Sequence, residues 1–135
     1  MYILDSDTLD YFVDHRQQYP KLYRKVLATP FTSLFISAIS VEEAIAGAEK
    51  FKGRDILKYY EILSAVLPKY CLFRVLSYDQ RARVIYRGFD RNTLKIGKGD
   101  CKIGATALSL GYTVVTHNLT DFSRIPGLRC EDWTL

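Results

Sequence analysis

The stretch Tyr2-Ile3-Leu4-Asp5-Ser6-Asp7-Thr8 sets the reading of this chain, because a short apolar run passes directly into polar residues with the character of a helix start. Three consecutive apolar residues read as a buried strand. An aspartate at the end of such a strand emerges at its carboxyl edge, although Asp is also an ordinary turn residue. Asp7 reads as the N-cap of the following helix. Working outward, further apolar runs occupy Leu34 to Ser37, Tyr70 to Val75 and Thr113 to Thr116, with Leu128 to Cys130 as a candidate edge strand. Helical spacing fills the intervals: Thr8 to Asp14, Lys21 to Ala28, Ser40 to Glu49, Arg54 to Leu67, Asp79 to Phe89 and Asp100 to Leu110. Pro20, Pro30, Gly53, Pro68 and Gly111 read as breaks. This alternation predicts one α/β domain over residues 1–135, with a central, mostly parallel sheet flanked by helices. Ligands of such sheets sit beyond the carboxyl ends of the strands, so acids placed there become candidates.

Composition supports a self-sufficient domain. The 135 residues are 48% hydrophobic and 25% charged, enough for a core without disulfide support. No apolar run approaches the roughly 20 residues of a membrane span, and Met1 leads straight into the first strand without a signal-peptide pattern. The expectation is a cytoplasmic protein with no membrane contact. Cys71, Cys101 and Cys130 are odd in number and widely spaced, which argues for free, mostly buried thiols over a disulfide framework or zinc site. The net charge of +4 is unevenly distributed: Arg74 to Lys98 holds seven cations (Arg74, Arg81, Arg83, Arg87, Arg91, Lys95 and Lys98) against Asp79 and Asp90. Such a segment can steer a polyanion, and a solvated helix face looks much the same. Arg87, Arg91, Lys95, Lys98 and the nearby Lys102 are the candidate nucleic-acid contacts, RNA-binding residues if the chain is a ribonuclease.

Besides Asp5, three further acids stand out. Asp100 opens a segment of small residues and, at about 100° per residue, shares a helix face with Ile103, Gly104 and Ala107. A carboxylate on that buried face requires capping, pairing or a metal. Glu43 has a strong competing explanation, since Ser40-Val41-Glu42-Glu43 forms a capping box in which Glu43 bonds back to the Ser40 amide. Periodicity does not choose between Glu42 and Glu43; Gly47, one turn on, favours Glu43 by leaving room beside it. Asp121 follows the strand Val114-Val115-Thr116 in a polar turn with His117 and Asn118, where a plain Asx turn is the alternative. Gathered carboxylates repel one another, and hard cations with oxygen ligands hold them together. One or two Mg²⁺ or Mn²⁺ ions at Asp5, Glu43, Asp100 and Asp121 would activate water for attack on a phosphodiester. His117 reads as structural, and His15 has no assigned role.

The same residues resemble a known family. Tyr2-Ile3-Leu4-Asp5-Ser6-Asp7-Thr8, Ile36 to Gly47, Ile96 to Ala105, Val115-Thr116-His117-Asn118 with Asp121-Phe122, and Glu131-Asp132-Trp133 are together similar to a PIN domain, specifically a VapC-type toxin ribonuclease. The resemblance runs nearly end to end. It implies metal-binding acids at Asp5, Glu43, Asp100 and Asp121, support from Thr116 and Asn118, and a VapB-like antitoxin as partner; it also selects Glu43 over Glu42. Asp7 replaces a frequent Asn and could join the site; Ala44 replaces a usual Leu, and Cys101 and Lys102 are unusual at their positions.

Two other functions compete. The Asp5-Ser6-Asp7-Thr8 opening also resembles haloacid-dehalogenase-like phosphatases, with Asp5 as nucleophile and Asp7 as acid/base, but Gly104 stands where the second acidic pair is needed. A catalytically idle RNA- or partner-binding domain is the other. Finally, Ile56, Tyr59, Tyr60, Leu63 and Leu67 form an apolar and aromatic helix stripe, which predicts a homodimer and a peptide-binding face if the stripe is not core.

Overall fold

The computed structural model describes residues 1–135. Strands β1 (Tyr2–Leu4), β2 (Leu34–Ser37), β3 (Arg74–Leu76), β4 (Thr113–Val115) and β5 (Cys130–Glu131) form one sheet in the order β3-β2-β1-β4-β5. Every neighbouring pair is parallel. The helices are α1 (Ser6–Asp14), α2 (Pro20–Ala28), α3 (Ala38–Glu49), α4 (Ile56–Tyr70), α5 (Gln80–Arg87), α6 (Arg91–Leu94), α7 (Lys98–Leu110) and α8 (Leu119–Phe122). No helix is long and apolar enough to cross a membrane.

Side chains alternate across the sheet and fill a core on each face. Ile3, Phe35 and Val114 pack with Ile103, Ala107 and Phe122, while Leu4, Leu34, Ile36 and Val115 pack with Leu9, Leu22, Val26 and Trp133. Burial on both faces explains why the strands read as continuous apolar runs. Register then positions the site. Leu4 pairs with Ile36 on one side and Val115 on the other, so the next residues, Asp5, Ser37 and Thr116, form a buried polar row at the carboxyl edge.

Several local expectations are corrected. Asp7 is not a cap: the helix starts at Ser6, and the Asp5 carboxylate accepts from the Thr8 N–H at 2.9 Å. Ser40 is not a cap either, because α3 starts two residues earlier, with Ser37 Oγ accepting from the Ile39 N–H at 3.1 Å. Pro68 lies inside α4, which continues to Tyr70, so the third strand begins at Arg74 rather than Tyr70. The last strand shifts to Cys130–Glu131. The short helices α6 and α8 carry no sequence-level periodicity and went unforeseen. All three thiols are free, but Cys71 is exposed.

Candidate active site

The four acids reach the carboxyl edge from four different elements. Asp5 follows β1 directly; its N–H donates to the Val115 carbonyl at 3.1 Å, and Thr8 Oγ1 donates to the same oxygen at 3.1 Å. Both bonds tie the β1–α1 junction to β4. Burial raises the Asp5 proton affinity, opposed by hydrogen bonds from Thr116 and Thr8. Thr116 Oγ1 also accepts from the Asn118 N–H at 2.9 Å, so the two supporting residues named from the sequence are linked to Asp5.

Asn118 caps α8 and holds Asp121. Its Nδ2 donates to Asp121 Oδ2 at 2.9 Å, while the other Asp121 oxygen faces Arg124 Nη1 at 3.4 Å. The sequence reading missed Arg124, although its i,i+3 spacing from Asp121 was visible. Asp100 is not the N-cap of α7; Gly97 occupies that position, and Asp100 sits half-buried in the first turn. A helix preceding a parallel strand runs back across the sheet, which brings the α7 N-terminus to the carboxyl edge. Burial, followed by the charges of Asp5, Glu43, Asp121 and Asp7, raises the Asp100 carboxyl to about 6. Asp5, Glu43, Asp121 and Asp7 thus all lie near enough to Asp100 for their charges to act on it.

Glu43 belongs to the second turn of α3, freed from the proposed capping box by the earlier helix start. The residue is exposed, yet its carboxylate lies directly against Gly99, where any added Cβ would collide with it. Gly47, expected to make this room, faces open space. Burial and Glu42 raise the Glu43 proton affinity, and Lys102 lowers it. Lys102 itself is half-buried, with Nζ 5.7 Å from the Tyr78 ring centre and 5.6 Å from that of Tyr86. Its charge thus acts on Glu43, whereas Arg87, Arg91, Lys95 and Lys98 are all exposed.

The donor set is all hard oxygen, suited to Mg²⁺ or Mn²⁺. No three Asp, Glu, His or Cys side chains stand close enough to form a ready-made metal site, so a cation held by these acids would need their side chains to turn toward it. Asp7 is exposed in the first turn of α1, near enough for its charge to act on Asp5 and Asp100. His117 is anchored by Asp132 Oδ2 at 3.0 Å and Thr134 Oγ1 at 3.1 Å, in keeping with its structural reading.

Comparison with known proteins bears on what this edge belongs to. The family model described as "PIN domain" matches residues 2–128. The chain belongs to the PIN-domain family. The PIN domain of this chain is 32% identical over 136 residues to the tRNA(fMet)-specific endonuclease VapC of Salmonella typhimurium, covering 98% of this chain and 97% of that protein. It is 31% identical over 141 residues to ribonuclease VapC1 of Haemophilus influenzae, covering 99% and 98%. Among solved structures, it resembles VapBC-1 from nontypeable Haemophilus influenzae with TM-score 0.76 and 30% identity over 99% of this chain and 98% of the other. DNA-bound VapBC from Salmonella typhimurium gives TM-score 0.72 and 32% identity over 98% and 97%. A phosphatase reading loses its basis in this family, and Asp5, 5% exposed and committed to its helix cap, is badly placed as a nucleophile.

Proposed function

We propose that this PIN domain is a metal-dependent endoribonuclease and the toxin of a toxin–antitoxin pair. The observation that carries the reading is the placement of Asp5, Asp100 and Asp121 at one sheet edge with Glu43 set against Gly99, where burial and the neighbouring acids raise the Asp100 carboxyl to about 6. An arrangement that penalises its own charge in the empty state is suited to gaining a cation. Asp5, Glu43, Asp100 and Asp121 would hold Mg²⁺ or Mn²⁺, which when bound supplies an activated water and neutralises the phosphate. Thr116 and Asn118 fix the directions of Asp5 and Asp121, and Arg124 holds the outer oxygen of Asp121. Asp7 adds negative charge at the rim. Arg87, Arg91, Lys95 and Lys98 carry the positive charge that attracts the RNA backbone.

The relatives solved as VapBC complexes support a VapB-like antitoxin as partner. On α4, Ile56, Tyr60 and Leu67 are exposed and Tyr59 and Leu63 half-covered, so this stripe is free to take a second copy of the chain or an antitoxin segment. The deciding experiment incubates the protein with structured RNA and with a small phosphate monoester, each with chelator, Mg²⁺ or Mn²⁺. Cleavage of RNA alone, and only with metal, is expected. Turnover of the monoester through a phosphorylated Asp5 would restore the phosphatase reading, and metal-loaded protein that binds RNA without cutting it would make the domain an idle binder.

A further inference from the structure

An aromatic cluster beside the acids is unused by the mechanism above. Tyr11 on α1 stacks on Tyr19, which precedes α2, with ring centres 4.2 Å apart and planes 24° from parallel. The His117 imidazole stands 6.0 Å from Tyr11 and 6.2 Å from Tyr19. Three aromatic rings from separate segments thus meet at one place. Tyr11 lies one turn beyond Asp7 on the same side of α1, and His117 directly follows Thr116, the residue that supports Asp5. The cluster therefore borders the acidic edge.

The cluster is only partly covered. Tyr11 and Tyr19 pack one side against the core around Leu9 and Trp133 and stay half-exposed, and the His117 side chain is 48% exposed. The imidazole is nevertheless fixed, held by Asp132 and Thr134 from the C-terminal segment. A rigid, open group of rings next to a repulsive acidic edge can attract the uncharged part of a nucleotide. Phosphates are disfavoured there, whereas a base presents a π face that stacks without regard to sequence.

We propose that Tyr11, Tyr19 and His117 form a stacking subsite for one unpaired nucleobase of the RNA, flanking the scissile bond. The proposal rests on the ribonuclease reading and adds where the strand lies. The base rests on the open side of the cluster at Tyr19 and His117, and its neighbouring phosphodiester extends toward Asp5 and Asp100. A substrate must then offer at least one unstacked base next to the cut, as loops and single strands do and a continuous duplex does not.

The test uses full-length protein carrying Asp100→Asn, in chelator, with a short single-stranded RNA containing one 2-aminopurine, whose fluorescence falls on stacking. Quenching is expected on binding. Tyr19→Leu should weaken binding about tenfold and abolish the quench; Tyr19→Trp should preserve or tighten both. The salt dependence of affinity should be the same for all three, because stacking releases no counterions. His117→Ala, at a half-exposed side chain, gives an independent loss of quench if Tyr19→Leu loosens the α1–α2 junction. Unaltered affinity and quench in both Tyr19→Leu and His117→Ala, with RNA still bound, would overturn the subsite alone. Failure of the parent protein to bind or, with Asp100 restored and metal added, to cleave any RNA would overturn the ribonuclease reading and the subsite with it.

Discussion

Asp100 and Asp5 show how one residue type serves two purposes within a few ångströms of sheet edge. The Asp100 carboxyl, raised from 3.8 to about 6, binds its proton more tightly in the folded chain than in the unfolded one. Its contribution to metal-free stability is therefore complete below about pH 4 and is lost as pH rises through about 6. For a half-buried group this amounts to about 1–2 kcal/mol after solvent screening. Asp100→Asn should remove that pH dependence, leave the chelated protein as stable as wild type or more so at pH 7, and abolish RNA cleavage. Millimolar Mg²⁺ should reverse the order, since wild type gains about 2.7 kcal/mol when metal is at a hundred times its Kd. Thermal melts in chelator and in Mg²⁺ measure both effects; unchanged melting in every condition would reduce Asp100 to a first-turn acid with no metal role. Asp5 combines charge with a helix cap, and two substitutions separate these. Asp5→Asn keeps an acceptor for the Thr8 N–H and should lose activity with little cost to the fold, whereas Asp5→Ala should lose activity and a further ~1 kcal/mol of stability.

At the scale of elements, small residues decide how closely α7 approaches its neighbours. A Cβ at Gly104 would stand 2.5 Å from Ile125 Cδ1, and Ile125 is buried. Gly104→Ala should therefore cost about 1–3 kcal/mol through overpacking, despite the better helix propensity of Ala; a denaturant midpoint at or above wild type would show that Ile125 can yield. The sequence displayed this run of small residues and the resulting helix, but not the contact made by each. Gly47 was the visible candidate for making room beside Glu43, and the residue that does so is Gly99, distant in sequence and unreachable by helical periodicity. Pro68 misled for a similar reason. A helix-breaking residue is tolerated near the end of α4 because tertiary contacts hold that turn: Lys69 Nζ donates to Asp10 at 3.0 Å and Asp14 at 2.6 Å on α1, and Tyr70 enters the core. Strands β1, β2 and β4 were legible because both their faces are buried, whereas the largely exposed β3 and half-buried β5 were misplaced. The choice of Glu43 over Glu42 as a candidate site residue came from family resemblance, since its spacing fitted a capping box that the earlier start of α3 dissolves.

For the whole molecule, charge and exposed apolar surface give two measurable expectations. Reversing Arg87 and Arg91 together should weaken RNA binding and reduce the slope of log affinity against log salt by about 1–2, as expected for two lost phosphate contacts. An unchanged slope would mean that the exposed basic segment faces away from bound RNA. The exposed α4 stripe predicts a dimer in solution: light scattering at micromolar concentration should give about twice the chain mass, and Tyr60→Glu should halve it. A monomeric wild type at that concentration would leave the stripe to the antitoxin alone.

The strand order has a consequence for how such an enzyme comes into being. β1 is made first yet sits between β2 and β4, so the centre of the sheet closes only when Thr113–Val115 arrives from the far end of the sequence. Pairing across that separation is slow, because the chain must close a long loop before the contact stabilises it. During synthesis Asp5 emerges early, but the β4 carbonyl that fixes its backbone and the Asp121 carboxylate appear last. A nascent chain that has not yet reached β4 and Asp121 thus has no assembled acidic edge.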